Sequence, residues 1–377
     1  MERLPQLKRG EEAQIHLHLG RSAVPLRSHL GETYLSLPTS PTGQTVLPLR
    51  SRRAELWITA NFYRVYECAP SPNAIKRALS VLEARALFDA VPQAIGRRLL
   101  AKTNTIILDL ANGDLANESG QCVEINPAGW TVADALPHAF ERDDASGQLP
   151  IPEDTIGQPL THLRQLLAIH DDESWANTLT WLTAALRPNS PCPILVIDGP
   201  AGSGKSTIAK MLKGIIDPSP ATEGHILIVD APVRIPRDLA ATSEKHPTIL
   251  IAQRQRLSPQ LEHRALIVNL PERTACRTLQ ALRQDFDTLH PSVLAALCTI
   301  VSQALHNLGQ TTQRTYGRLA EAASWAAAGA AVNPSAVATA RAPDAFIAAR
   351  DAPHHWMCSS VGLCVSHQLE NCVTATK

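Results

Sequence analysis

The stretch PILVIDGPAGSGKSTIAKMLKGIIDP, residues 193–218, sets an apolar run, a glycine-rich turn and an amphipathic run end to end. Its centre reads Gly199, Pro200, Ala201, Gly202, Ser203, Gly204, Lys205, Ser206, Thr207. Residues 194–198 predict a buried strand and residues 207–215 a helix. The spacing G-x-x-x-x-G-K-S thus falls in the strand–loop–helix context where such a turn cradles phosphate. Gly202 and Gly204 allow the backbone to curl until successive N–H groups face one anion, at the positive end of the helix dipole. Lys205 is placed to reach the β- and γ-phosphates, and the Ser206 hydroxyl to complete the shell of a Mg2+ ion. These nine residues are the expected binding site for ATP with Mg2+.

Downstream, three more apolar runs read as strands. Residues 226–230 end on Asp230, the expected metal-side acid, which would hold a Mg2+-bound water. The next residue is Ala231, where hydrolytic NTPases usually carry a second acid. Residues 248–252 form the next strand and end at Gln253, whose amide could position an attacking water against the γ-phosphate. Residues 265–270 form the last strand, preceded by Arg264. Helix dominates from 273 to 332, with interruptions expected at Pro291 and Gly309.

Upstream, residues 160–168 and 174–186 predict amphipathic helices that lead into the loop, the second closed by Arg187-Pro188. The polar, Gly- and Pro-rich run 143–159 reads as a linker. Before it, apolar residues recur at helical spacing over 55–66 and 73–89, with Ser71 as cap and Pro72 at the first helical position of the second run. Residues 105–110, 122–125 and 130–132 predict short strands. The expected class is α/β: a P-loop NTPase core over 160–271, an N-terminal mixed helical and strand module over 51–142, and a C-terminal helical bundle over 272–335. An irregular arm over 1–50 and an irregular tail over 336–377 flank them.

A chain of 377 residues is long enough for two or three domains at roughly 100–200 residues each. Lys+Arg and Asp+Glu are both 35, so bulk charge argues for no nucleic-acid partner, and any such surface is a local patch. The eight cysteines are scattered singly, which reads as reduced thiols rather than a disulfide framework. The charged start has no apolar leader. The most apolar helix, 293–308, is short and carries Ser302, Gln303, His306 and Asn307, so it is expected to be buried rather than to span a membrane. The composition suggests a soluble, cytoplasmic protein.

From about residue 55 to 332 the chain resembles the phage- and plasmid-type primase-helicase ATPases, a superfamily 3, AAA+-like group, and within it bacterial prophage ATP-binding proteins. The residues that carry the resemblance are the helical pair LWITANFYRVYECAPSPNAIKRALSVLEARALFDA, the strand pair IILDLANG and VEINPAGWTV, the lead-in WLTAALRP, the loop and its helix, HPTILIAQRQ, and LSPQLEHRALIVNLPE. The resemblance implies ATP and Mg2+ as cofactors and a catalytic set of Lys205, Asp230, Gln253 and Arg264. Ser206 and Asp230 would be on the metal side, and Arg264 would face a neighbouring subunit's nucleotide. It also implies a homo-oligomeric ring acting on single-stranded or duplex DNA in replication. The chain departs from the pattern at Ala231, at Gln253 in place of Asn, and in the short segment between the loop helix and the Gln253 strand.

Two other readings stay open. IDGPAGSGKST is also how nucleoside and small-molecule kinases write this loop, with Asp198, Asp230, Arg234 and Arg237 then serving an acceptor. Ala231 and the short core favour a nucleotide-binding remnant that does not hydrolyse. Candidate phosphate-contacting patches are Arg50/Arg52/Arg53, Lys76/Arg77, Arg97/Arg98/Lys102 and Arg254/Arg256. The tail set Cys358, Cys364, His367 and Cys372 has tetrahedral-site chemistry but no recognisable zinc spacing.

Overall fold

The chain begins, among the described residues, with three short strands, β1 (Val24–Ser28), β2 (Thr33–Ser36) and β3 (Gln44–Pro48). The computed structural model describes residues 24–29, 31–37, 44–112, 120–134, 139–141, 147–190, 192–231, 234–272, 277–308 and 318–330. The C-terminal Cys/His set and the tail from 336 lie outside them. After β3 come α1 (Arg52–Tyr66) and α2 (Pro72–Phe88), then the two-residue β4 (Pro92–Gln93). The Ser71 hydroxyl accepts from Ala74 N–H and Pro72 opens α2, which settles that helix start.

An antiparallel meander follows: β5 (Leu99–Lys102), β6 (Thr105–Asp109), β7 (Cys122–Asn126) and β8 (Gly129–Ala133). Then β9 (Ala139–Glu141) returns to the first sheet, whose order is β4-β1-β2-β3-β9. The described part of the expected N-terminal arm is therefore sheet. Leu35, Leu37, Leu47 and Leu49 pack against Ala54, Ile58 and Phe62 of α1 and Ala74, Ala78, Leu82 and Ala86 of α2. Burying each Leu contributes about 1.5–3 kcal/mol, and the alanines let both helices lie close.

The core begins with α3 (Pro159–Leu167) and α4 (Asp172–Ala185). The loop strand β10 (Ile194–Asp198) leads to α5 (Lys205–Ile216), β11 (Leu227–Asp230), α6 (Leu239–Lys245) and β12 (Thr248–Ile251). A single 3-10 turn, Arg254–Arg256, then connects to α7 (Pro259–Glu262) and β13 (Ala265–Asn269). The four strands are parallel in the order β11-β12-β10-β13. Both faces are covered, which is why they read as unbroken apolar runs. On one face Leu195, Ile197, Ile249 and Ile251 meet Ile208, Leu212 and Ile215 of α5. On the other, Ile194, Val196, Leu250 and Ala252 meet Leu239 of α6 and Leu261 of α7. α4 flanks β13: Asn177 Nδ2 donates to Ile267 O at 2.9 Å and Ser174 Oγ accepts from Asn269 N at 2.9 Å, satisfying that strand's outer backbone.

The chain ends, among the described residues, with α8 (Leu279–Leu308) and α9 (Arg318–Ala330). Pro291 lies inside α8 without interrupting it, contrary to the expected break. The helix is held along its length by α3, α4, α5, β7, β8 and α9, so losing one backbone N–H does not stop it. Gly309 is outside the described residues. By length and composition α8 could cross a membrane, but Val293, Leu294, Leu297, Cys298, Val301 and Ala304 are buried in the core shared with the parallel sheet. α8 and α9 pack on the lead-in helices and the meander rather than forming a separate bundle.

The boundaries expected at 142 and 159 also shift. Leu99, Ile106, Leu108, Val123 and Ile125 of the meander lie in the same core as α3, α4 and α8. The described part of the expected linker is a docked strap: Leu149 is buried and donates its N–H to Leu110 O at 2.8 Å, and Glu153 N donates to Pro291 O. Gly147 lies so close to Pro218 that a Cβ there would sit 2.5 Å from its carbonyl oxygen.

Candidate functional site

The loop leaves β10 at the carboxyl end of the sheet, beside the strand order's interior, where open α/β sheets bind ligands. Gly202 and Gly204 take φ of +81° and +88°, the left-handed region that glycine enters freely. Gly199 is fixed by contact: a Cβ there would stand 2.7 Å from Leu270 O and 2.9 Å from Ser203 Oγ. Gly204 stands at the N-cap of α5 and offers no side chain to the first turn, so the helix start presents backbone donors. Lys205 Nζ donates to Gly199 O at 2.8 Å and Pro200 O at 2.6 Å, crossing the loop it belongs to. Ser206 is exposed beside it.

Ser203 Oγ is buried and has no hydrogen-bond partner. The residue lines a cleft of about 220 Å³ together with Leu270, Pro271, Glu272, Ala168 and His170. A buried hydroxyl without a partner costs stability, and such groups are found where function demands them. Among the described residues no group of three or more His, Cys, Asp or Glu could hold a metal ion. Mg2+ is commonly held by one or two protein groups plus substrate phosphates rather than by a protein cage. The loop's donors, the uncapped helix start and Ser206 fit a Mg2+-bound triphosphate.

Asp230 ends β11, level with Ile251 of β12, which is in turn level with Ile197 of β10. These three share the face covered by α5, so Asp230 lies on the helix side, two strand spacings or roughly 10 Å from β10. Ala231 lies on the opposite face in an apolar cluster with Val196, Leu250 and Leu239, where a carboxylate would be buried without a partner. Gln253 follows β12, the strand between β10 and β11, and its Oε1 accepts from Arg256 Nε at 3.0 Å. Arg264 precedes β13 at the far, amino end of the sheet and pairs with Glu244 at 3.4 Å. It therefore does not converge on this chain's own loop. Asp198, weighed as an acceptor-binding acid, is used internally: Oδ1 accepts from Gly199 N at 2.7 Å and Oδ2 from Arg254 N at 3.0 Å, tying β10 to the turn after β12.

A buried ion cluster at the other end of α5 was not read from the sequence. Lys213 Nζ donates to Asp217 Oδ2 at 2.8 Å, Ser219 Oγ at 2.9 Å and the carbonyls of Glu223 and Ile226. Arg98, from the meander, reaches Asp217 Oδ1 at 3.5 Å. Burial acts to raise the Asp217 pKa, but Lys213 and then Arg98 outweigh it and hold the carboxyl at about 2. The sequence signal was Lys213 and Asp217 four apart on one helix face; the third member is distant in sequence.

Arg98 thus leaves the expected Arg97/Arg98/Lys102 surface patch, because it is 3% exposed and bonded to Asp109 O, Gly147 O and Asp217. Arg97 is bound to Glu141, Arg50 to Glu83, Arg52 to Glu55 and Arg254 to Glu262.

The parallel sheet, its loop and the helix start define a P-loop NTPase domain. Residues 190–323, about a third of the chain, match the family model described as ABC transporter. No curated protein matches the chain. Among solved structures it is similar to one titled "SCCmec type IV Cch - active helicase", at 10% identity and a TM-score of 0.38, covering 87% of this chain and 73% of that one. It is also similar to the apo C-terminal region of NrS-1, at 10% identity and a TM-score of 0.38, covering 76% and 69%. At that identity and score neither likeness bears on function.

Proposed function

We propose that this chain is a helicase-like ATPase of a mobile element, binding ATP with Mg2+ at residues 199–207 and acting on DNA during replication as a homo-oligomeric ring. The observation that carries the nucleotide reading is the loop itself: two left-handed glycines, an uncapped helix start, Lys205 across the mouth and the partnerless Ser203 hydroxyl. Supporting the ATPase reading, Asp230 lies on the helix side of the sheet, and Gln253 ends the strand beside the loop strand. The sequence resemblance supplies the mobile-element and replication parts.

In this reading Lys205 exchanges its two carbonyl partners for phosphate oxygens, and the first N–H groups of α5 hold the same anion. Ser206 and Asp230 stand on the metal side, and Gln253 orients water once Arg256 releases it. Bound Mg2+ would neutralise charge on the phosphates. In such a ring Arg264 would face a neighbouring copy's nucleotide rather than this chain's own loop. The kinase reading loses support because Arg234 and Arg237 line a cavity on the sheet face away from α5 and share it with no residue of the loop.

The test is ATP turnover with and without single-stranded DNA, together with the particle mass with and without ATP. DNA-stimulated turnover and an ATP-dependent rise in mass are expected. Phosphorylation of a nucleoside without DNA overturns the reading in favour of a kinase. ATP bound without turnover leaves a non-hydrolysing binder.

A further inference from the structure

Among the described residues, the sheet face that α5 leaves open is covered by α6, α7 and the segments around them. Between them lies a cavity of about 690 Å³ lined by four arginines from two segments, the one before α6 and the one joining β12 to β13. Arg234 and Arg237 precede α6, Arg256 follows β12, and Arg264 precedes β13; Ile235 and Leu261 give it an apolar side. Arg234, Arg237 and Arg256 are exposed. No carboxylate is among the described residues that line the cavity, although Glu244 reaches Arg264 at 3.4 Å and Arg256 Nε lies 3.0 Å from Gln253 Oε1.

A chain with equal numbers of acidic and basic residues has concentrated four arginines in one concavity. Low-dielectric walls lined by one sign of charge focus the field and raise the local concentration of anions. Guanidinium is the planar fork that matches phosphate, holding it by paired hydrogen bonds. The charge also has length. Arg256 stands past the carboxyl end of β12 and Arg264 before the amino end of β13, so the arginines run along the face for roughly the 15 Å of a five-residue strand. A run of positive charge suits a chain of phosphates better than a single anion. Aromatic side chains are missing from the described lining, so bases find no stacking platform and contact falls on the backbone, independent of sequence.

We propose that this cavity holds the phosphates of a single nucleic-acid strand, as a second phosphate site separate from the loop. The proposal rests on the nucleic-acid part of the reading above and assigns that part to named residues. Strand binding is measured by anisotropy of a short fluorescein-labelled oligothymidylate over a salt series, with affinity for a fluorescent ATP analogue measured in parallel.

For R234Q/R237Q, strand affinity at low salt falls roughly tenfold and the slope of log K against log salt becomes shallower by about 1.4, two contacts at about 0.7 each. ATP-analogue affinity stays at the wild-type value. R234K/R237K keeps the charge and retains the wild-type slope, which separates charge from damage to the fold. Wild-type strand affinity and slope in R234Q/R237Q overturn the proposal while leaving the nucleic-acid reading intact, because the strand then binds elsewhere. A wild-type protein that binds tripolyphosphate but no strand overturns both.

Discussion

At the scale of single residues, Ser203 separates stability from binding. Its buried hydroxyl has no partner in the fold, so its removal leaves no protein group unsatisfied. Ser203→Ala is expected to hold the melting temperature within about 2 °C, a change below 1 kcal/mol, yet to weaken ATP several-fold. A large loss of stability with unchanged ATP affinity contradicts a ligand role for that oxygen. The loop residues themselves were legible in the sequence because their chemistry is local: glycine where φ is positive, lysine and serine at fixed offsets. What Asp198 and Arg98 do was not. Asp198 reads as an acid at a strand end, but its partner Arg254 comes from the turn after the neighbouring strand, 56 residues on. Arg98 reads as surface charge until Asp217, 119 residues away, is placed beside it.

At the scale of elements, α5 is anchored at both ends. Its amino end holds the phosphate loop, and its carboxyl end is fixed by Lys213, Asp217 and Arg98, with His290 of α8 placing Nε2 3.0 Å from Ile215 O. Replacing one partner of such a buried cluster strands the other charges. Lys213→Met is therefore expected to cost about 3–5 kcal/mol, read as a lowered urea midpoint at unchanged slope. A midpoint equal to the wild type would show that the cluster adds nothing to the anchor. Strands and helices were largely readable from periodicity, including the Ser71 cap. Which sheet each strand joins was not readable, because pairing partners are distant: β9 returns to β3 across about ninety residues, and the meander joins the parallel sheet's core through α8. The helix through Pro291 escaped for the same reason, since tertiary contacts rather than local propensity decide it.

At the scale of the molecule, acid should weaken the fold in two windows. Burial pushes His225 down to about 4, with Nε2 3.0 Å from Ala185 O. The unfolded chain takes up that proton first, so stability falls as pH drops from about 6.5 to 4. The lowered pKa values of His246 and His290, also set by burial, act in the same direction. Asp217 acts in the same direction at lower pH: its depressed pKa gives stability that is full above about 4 and is lost as pH falls toward 2. His225→Gln should flatten the upper window and leave the lower one unchanged, as followed by urea unfolding at stepped pH. An unaltered slope between pH 6.5 and 4 would remove His225 from the account.

The proposed function requires that residues 199–207 bind a nucleoside triphosphate and that Lys205 is the cation that meets it. Calorimetric titration of ATP with Mg2+ into wild-type protein and into Lys205→Ala tests it most directly. The account predicts saturable binding at one site per chain in the wild type and no measurable binding in the variant, with both proteins folded by circular dichroism. Equal ATP affinity in the two proteins would contradict it.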